Sequence, residues 1–366
     1  MTERDLLSLF CCGFEGTEAP DGIRDLLGRG LGGVILFKRN LRDLDQICFL
    51  TADLHRHARG PLLVGVDQEG GRVVRLPAPF LAPPPAAVLG RIGDPAFTRE
   101  VARAMGEELY AAGFNWNLAP VLDVHTNPAN PVIGDRAFSS DPHGVARMGL
   151  AAFRGFEDVG ILATGKHFPG HGDTAIDSHL ELPESSQPPA RWRAVEFVPF
   201  QEAIRAGMPS ILLAHLRCPA LDPTAPSSLS RVIVTDILRG ELGFDGVVVS
   251  DDLEMGAIVA EYAIGEAAVR FLEAGGDLIL ICQHADRQRE AIAAVELALR
   301  SGRLSERRVQ ASLDRLARLC QRLNARASAT TPDAVKAIIE AEEHQVLLAR
   351  VRAAAIAQAH PSAGSA

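Results

Sequence analysis

Residues 161–174 read Ile161-Leu162-Ala163-Thr164-Gly165-Lys166-His167-Phe168-Pro169-Gly170-His171-Gly172-Asp173-Thr174. The first residues of this stretch form an apolar run that is typical of a short buried strand. The second half cannot be helical, because Pro169, Gly170 and Gly172 interrupt a helix. Polar side chains continue as far as His179. We therefore predict a strand that leads directly into a loop rich in chemically reactive side chains.

A loop of this composition has three interpretations. Glycine, proline and aspartate together favour a plain turn. Histidine and carboxylate side chains are common zinc ligands, so a metal-dependent hydrolase is a second interpretation. Its ligands would be His167, His171, Asp173 and His179. The third is catalysis, because polar loops held by a rigid scaffold often carry active-site residues. Composition alone leaves all three open.

The rest of the chain alternates short apolar runs with helical patterns. The runs predicted to be strands are residues 6–12, 33–37, 61–66, 114–122, 161–166, 210–214, 246–250 and 277–281. Nearly continuous apolar strands are typical of parallel sheets that helices cover on both faces. Eight such strands, each followed by a helix, predict an α/β fold of the (β/α)8 TIM-barrel type.

Polar residues recur where the predicted strands end. They are Asp67, Asp123, Lys166 with His167, His215 and Asp251. In a (β/α)8 barrel the active site lies at the carboxyl ends of the strands, so we expect these side chains to meet at one mouth. A doubly wound sheet is the alternative fold, and it does not explain polar ends on so many strands.

The overall composition excludes several classes of function. The chain has 366 residues, 47% of them hydrophobic, and a net charge of −9, as in ordinary globular proteins. Nothing favours nucleic-acid binding, and no basic block indicates a membrane surface. Six scattered cysteines without a CxxC pair indicate a reduced, cytoplasmic protein. The first residues are acidic and their apolar run is short, so we expect no signal peptide.

The chain is expected to have two parts. Residues 1–325 would form the catalytic barrel, and residues 326–366 would form a helical extension followed by a disordered tail. Within the extension, residues 332–359 are Ala-rich and predict one long helix that packs on the barrel or on a partner chain. We expect a monomer or a homodimer.

Three further segments carry candidate site residues. An acid at a barrel strand end can be a nucleophile, a metal ligand or a helix N-cap. Asp252 fits the cap, whereas Asp251 lies closer to the strand end and is the better catalytic candidate. Asp67 could accept hydrogen bonds from sugar hydroxyls, and Arg75 and Arg136 could donate to substrate oxygens. An ion pair within the protein is the simpler interpretation of each arginine.

Four segments together resemble a known family. They are Val66-Asp67-Gln68-Glu69-Gly70-Gly71-Arg72, Ala119-Pro120-Val121-Leu122-Asp123-Val124, the loop from Lys166 to Thr174 with Asp177-Ser178-His179, and Ser250-Asp251-Asp252-Leu253. In this order they are similar to bacterial β-N-acetylglucosaminidases of glycoside hydrolase family 3, over about residues 5–325. The histidine-rich loop is the segment most specific to the single-domain branch of that family.

The resemblance implies a retaining mechanism without a cofactor or a metal. Asp251 matches the nucleophile, His179 the general acid/base, and Asp177 the residue that orients this histidine. The positions that match those binding the N-acetylglucosamine ring are Asp67, Arg75, Arg136, Lys166 and His167. Retaining glycosidases ordinarily use two carboxyl groups. A histidine with an unperturbed pKa of about 6.5 also suits proton transfer near neutrality.

The resemblance also implies a substrate class. We expect exo-cleavage of terminal non-reducing β-linked N-acetylglucosamine from a small carbohydrate, and a cytoplasmic role in recycling peptidoglycan muropeptides. No nucleic acid or membrane is expected as a partner. Three alternatives remain open. They are the metal-dependent hydrolase, a sugar-binding sensor without catalysis, and, within the family, a broader exo-glycosidase or an enzyme that transfers the sugar to phosphate instead of water.

Overall fold

The computed structural model describes residues 2–175, 182–323 and 331–359. Within these ranges eight parallel strands close into a barrel, each pairing with its neighbours in chain order. The strands are β1 (Phe10–Cys12), β2 (Gly33–Leu36), β3 (Leu63–Val66), β4 (Trp116–Asn117), β5 (Leu162–Phe168), β6 (Ser210–Leu213), β7 (Val247–Asp252) and β8 (Leu278–Ile281). The predicted (β/α)8 TIM-type barrel is therefore confirmed.

Helices surround the barrel and bury their apolar faces against it. Those that precede the extension are Glu3–Leu7, Asp21–Arg29, Leu44–His57, Ala86–Ile92, Pro95–Ala111, Pro142–Asp158, Pro189–Arg191, Phe197–Arg205, Gly256–Val259, Ile264–Ala274, Ala285–Arg300 and Glu306–Gln321. Trp192–Glu196 and Val232–Glu241 are π-helical, and the short 3₁₀ turns are Lys38–Asn40, Gly134–Arg136 and Ser227–Leu229. In the described part of the chain, no helix combines the length and apolarity needed to cross a bilayer.

The first predicted strand, residues 6–12, is wrong in its first half. Glu3–Leu7 is a helix, and β1 starts only after it. A reciprocal cap explains the helix: the Asp5 N–H donates to the Thr2 hydroxyl, and the Thr2 N–H donates to the Asp5 carboxylate. Leu6 and Leu7 are buried as helix residues, so the apolar run that contains them does not indicate a strand here.

β4 is much shorter than the predicted strand of residues 114–122. Pro120 has no N–H to donate, so a regular ladder cannot pass through it. The chain nevertheless stays beside β5, because the N–H of Leu122 donates to the carbonyl of Lys166 at 2.6 Å. This irregular stretch delivers Asp123 to the carboxyl end of the barrel.

The predicted C-terminal extension is helical but is not one long helix. It consists of Pro332–Glu340 and Glu342–Ala359, with extended backbone at Ala341 (ψ 137°). Two glutamates open the second helix, where acidic side chains favour a new N-terminus. The predicted boundary between residues 325 and 326 lies outside the described residues, and so does the tail from residue 361.

The extension packs on the outside of the barrel, which is one of the two predicted positions. Its two helices contact Leu44–His57, Ala86–Ile92 and Pro95–Ala111. Its apolar contacts come from four buried side chains, Val335, Ile339, Leu347 and Val351. The break at Ala341 lets both helices turn apolar faces toward the barrel.

A buried carboxylate ties a late helix to the barrel. Asp277 is fully buried and lies 2.5 Å from Arg239 Nη2. It also accepts hydrogen bonds from Ser312 Oγ at 2.6 Å and from the N–H of Val248 at 2.9 Å. Arg315 Nη1 lies 3.5 Å away, on the helix Glu306–Gln321. Asp277 therefore joins that helix to β7 and β8.

We predict that Asp277→Ala lowers the free energy of unfolding by about 3–5 kcal/mol, because it leaves buried arginine charge without its partner. Asp245→Ala is the matched control. Asp245 also pairs with Arg315, but it is 74% exposed, so its loss should cost about 1 kcal/mol or less. Urea unfolding followed by circular dichroism measures both values. Equal losses in the two variants would contradict the prediction.

Candidate active site

The structure brings together the predicted site residues that it describes. A cavity of about 420 Å³ lies at the carboxyl ends of the strands. Its lining includes Asp67, Arg75, Arg136, Lys166, His167 and Asp251. The other two predicted residues, Asp177 and His179, lie outside the described residues. Six side chains from four separate stretches of the sequence therefore share one pocket because parallel barrel strands end at the same face.

Glu69 links the cationic side chains of the pocket. Its carboxylate makes two 2.8 Å hydrogen bonds to the Arg136 guanidinium and lies 2.7 Å from Lys166 Nζ. Lys166 Nζ also donates to Asp67 Oδ1 at 2.6 Å. Burial raises the pKa of Glu69, but Arg136 and Lys166 lower it by more, so this carboxyl is fully ionised. The pocket floor is thus a buried network of two cations and two carboxylates.

His167 is held in one tautomer by its two neighbours. Its Nδ1 lies 2.7 Å from Asp123 Oδ2, and its Nε2 lies 3.3 Å from Arg136 Nη2. Arginine can only donate, so Nε2 accepts, and Nδ1 donates to the Asp123 carboxylate. Asp123 also accepts from the N–H of His171 at 2.6 Å. Burial raises the pKa of Asp123, but His167 and His171 lower it by more, and it stays ionised.

Asp251 is a half-buried carboxylate near the end of β7. Its Oδ1 accepts a hydrogen bond from the N–H of Asp252 at 2.9 Å. Burial raises the pKa of Asp251, but His215 and His167 lower it by more, so the net pKa lies below its usual value. His215 is fixed nearby, with its Nε2 donating to the Asp252 carbonyl at 3.1 Å. Asp251 is therefore ionised at neutral pH, as a nucleophile must be.

Asp252 is not the helix cap that the sequence suggested. It is the last residue of β7, and the next helix begins at Gly256 with Met255 as its N-cap. Its Oδ1 instead accepts from the N–H groups of Glu254 at 3.0 Å and Cys282 at 3.2 Å. Burial, together with the charges of Glu254 and Asp251, raises the pKa of Asp252 to about 7. Two adjacent carboxyl groups therefore have pKa values displaced in opposite directions.

Arg75 lines the cavity beside Asp67. Its Nη2 lies 3.7 Å from Asp67 Oδ2 and its guanidinium lies 5.9 Å from the centre of the Phe37 ring. Its Nε is buried without a hydrogen-bond partner among the described residues. Buried donors normally have partners, so this unpaired donor is unusual in a residue that lines the cavity.

The loop after β5 is fixed at both sides of the segment that contains Asp177 and His179. Before that segment, Asn130 Nδ2 donates to the His171 carbonyl at 2.8 Å. Across it, Gln187 Nε2 donates to Asp173 Oδ2 at 3.0 Å. Gly172 lies against the segment that follows β4. A Cβ at this position would lie 1.9 Å from the Val124 carbonyl oxygen, so only glycine fits there.

The residues of the metal hypothesis have other partners. His167 Nδ1 contacts Asp123, and His171 Nδ1 lies 2.7 Å from Thr174 Oγ1. Asp173 accepts from Gln187, and the fourth proposed ligand lies outside the described residues. Among the residues described, no group of three or more histidine, cysteine or acidic side chains is arranged to hold a metal ion.

The sequence did not reveal the role of two acidic residues. Glu69 lies inside a quoted motif, yet its function depends on cations that come from β5 and from the turn Gly134–Arg136. Asp123 was recognised as a polar strand end, but its contact with His167 was not foreseen. For Asp123 the available signal was its position at the end of a predicted buried strand.

Known proteins share both the sequence and the fold. Residues 18–319 match the family model of the glycosyl hydrolase family 3 N terminal domain. A β-hexosaminidase from Thiobacillus denitrificans is 42% identical over 289 residues, which is 77% of this chain and 80% of that protein.

Two solved structures extend the similarity. A glycoside hydrolase family 3 β-N-acetylglucosaminidase from Paenibacillus sp. has a TM-score of 0.90 and 41% identity, covering 97% of this chain and 69% of its own. NagZ from Neisseria gonorrhoeae, in complex with N-trifluoroacetyl-D-glucosamine, has a TM-score of 0.79 and 32% identity, covering 95% of this chain and 98% of its own. The chain therefore belongs to glycoside hydrolase family 3 and is an enzyme of the β-N-acetylhexosaminidase type.

Proposed function

We propose that this enzyme removes terminal non-reducing β-linked N-acetylglucosamine through a covalent glycosyl-enzyme intermediate. The observation that carries the proposal is the position of Asp251. This ionised carboxylate lies at the end of β7, in the same cavity as Asp67, Arg75, Lys166 and His167. A nucleophile beside a set of hydroxyl-binding groups is the arrangement that a retaining glycosidase needs.

The pocket chemistry supports a sugar substrate. Its volume, about 420 Å³, falls within the usual range for small-molecule clefts. Asp67 and Glu69 supply acceptors, Lys166 and Arg75 supply donors, and all four residues line the cavity. Alternating donors and acceptors suit the hydroxyl groups of a pyranose ring, each of which can donate and accept. The structural relative from Neisseria gonorrhoeae is bound to a close analogue of N-acetylglucosamine.

In the first step, a carboxylate oxygen of Asp251 attacks the anomeric carbon as the bond to the leaving oxygen breaks. His179, in its imidazolium form, gives a proton to that oxygen, and the sugar becomes an ester of Asp251. In the second step, neutral His179 removes a proton from water, and the water oxygen attacks the anomeric carbon. Asp251 leaves as a carboxylate, so the product keeps the β configuration. Asp177 would orient the histidine, as an aspartate does in a Ser-His-Asp triad.

The physiological setting is part of the proposal. We infer that the substrate is a small muropeptide released during peptidoglycan turnover and that the enzyme acts in the cytoplasm. The argument for the cytoplasm is the cysteine pattern: five of the six cysteines, Cys11, Cys12, Cys48, Cys218 and Cys282, are buried and carry free thiols. Free buried thiols suit a reducing compartment. Activity on a purified disaccharide-peptide fragment, compared with chitobiose, tests the substrate.

We predict that Asp251→Ala loses about 10³-fold or more in kcat for 4-nitrophenyl N-acetyl-β-D-glucosaminide, because it removes the nucleophile. His179→Ala should lose its acid/base function and with it most of the pH dependence of kcat. Asp245→Ala, far from the pocket, is the control. Turnover by Asp251→Ala at the wild-type rate would refute the mechanism.

The same assay separates the remaining alternatives. Wild-type turnover should be indifferent to a chelator, and loss of activity in the chelator would favour the metal-dependent hydrolase. Faster turnover in phosphate, with a sugar phosphate as product, would indicate transfer to phosphate. Absence of any turnover by the wild type, with retained sugar binding, would favour a sensor.

We predict that Glu69→Gln raises KM by about tenfold or more, because Lys166 and Arg136 lose the carboxylate that holds them at the sugar. A charge-assisted hydrogen bond of this kind contributes about 1.5–3 kcal/mol. Glu157→Gln is the matched control, since Glu157 forms an exposed pair with Arg154. Steady-state kinetics give KM, and thermal unfolding reports the accompanying loss of stability. An unchanged KM in Glu69→Gln would show that Glu69 does not position the binding groups.

A further inference from the structure

A buried contact joins the C-terminal extension to the barrel. His344, in the helix Glu342–Ala359, places Nε2 2.7 Å from Glu108 Oε1 in the helix Pro95–Ala111. Both side chains are at least nine-tenths buried. An ionised carboxylate can only accept, so His344 donates to it. A buried pair of this kind is costly to break, since removal of one partner leaves the other unpaired.

The second carboxylate oxygen of Glu108 accepts a hydrogen bond from the chain segment that forms part of the pocket wall. The segment that follows β3, residues 67–85, is called here the β3 loop, and it carries Asp67, Glu69 and Arg75. The N–H of Leu81 in this loop donates to Glu108 Oε2 at 2.6 Å. The Glu108 carboxylate therefore holds Leu81 of the β3 loop through one oxygen and His344 through the other.

Gln68 closes the β3 loop on itself. Its Nε2 donates to the Leu81 carbonyl at 3.3 Å, and its Oε1 accepts from the N–H of Arg75 at 2.9 Å. The main chain of Gln68 is anchored to β4 by two hydrogen bonds to the Asn117 side chain, of 3.0 and 2.9 Å. An unbroken, largely buried series of hydrogen bonds thus leads from His344 through Glu108, Leu81 and Gln68 to the backbone of Arg75.

We propose that the C-terminal extension positions the sugar-binding loop, with His344, Glu108 and Gln68 as the positioning residues. None of the three touches the substrate; they set the place of Arg75. This inference rests on the proposed role of Arg75 in binding the sugar. The extension would then hold the active-site loop in position in addition to packing on the outer helices.

The test is a comparison of variants in the full chain. We predict that His344→Ala raises KM for 4-nitrophenyl N-acetyl-β-D-glucosaminide by roughly three- to tenfold, the range expected for coupling through packed networks, with kcat within about twofold. His344→Gln can still donate to Glu108 and should restore most of the affinity. Arg350→Ala, on the same helix, is the control. It removes an exposed pair with Glu100 without touching the series.

Two further measurements decide the outcome. Hydrogen exchange should rise in peptides from residues 67–85 in His344→Ala and stay at the wild-type rate in Arg350→Ala. Gln68→Ala and His344→Ala should not add their effects on KM, because both interrupt the same series. Additive effects, or equal exchange in the two helix variants, would overturn the proposal. If His344→Ala does not fold, Glu108→Gln carries the same comparison, and His344→Gln remains the variant expected to keep most of the affinity.

Arg75→Ala separates this inference from the function on which it rests. If Arg75→Ala raises KM and His344→Ala does not, the positioning role is wrong while the sugar site stands. If Arg75→Ala leaves KM unchanged, the proposed role of Arg75 is wrong and the positioning of Arg75 loses its functional meaning.

Discussion

The candidate active site depends on the buried carboxylate of Glu69. Two cations, Lys166 and Arg136, would repel each other in the same small pocket without it. With it both cations are held by one carboxylate, at distances of 2.7 to 2.8 Å. Because a buried charge must be paired to be tolerated, this network also fixes the shape of the pocket. The same network of buried charges therefore sets both the geometry of the pocket and its local stability.

The barrel topology explains why such a network can form at all. All strands are parallel, so each strand releases its carboxyl-terminal residues at the same face. Asp67 directly follows β3, Lys166 lies in β5 and Asp251 lies in β7. All three therefore line the same cavity. Asp123 arrives by an irregular stretch after β4, where proline prevents a regular ladder. A departure from ideal strand geometry thus places the acid that orients His167.

The sequence-based errors share a physical cause. An apolar run marks burial, and burial occurs in both strands and helices; the capping pair Thr2 and Asp5 decided the matter for Glu3–Leu7. Asp252 fits a helix cap by type, but two N–H groups, of Glu254 and Cys282, already occupy its carboxylate at the strand end. The break at Ala341 follows from the barrel surface that both helices of the extension must contact. In each case a contact with another part of the protein determined the local structure.

The alternation of strands and helices, the polar strand ends and the family motifs can be read from residue type and spacing along the chain. The barrel class, six of the pocket residues and the choice of Asp251 over Asp252 follow from them. The charge pairs, the hydrogen-bonding roles of the two His167 ring nitrogens and the contact of His344 with Glu108 depend instead on the folded barrel. These contacts join residues up to 236 positions apart. Their partners are chosen by the closed barrel and by burial, which no local pattern encodes.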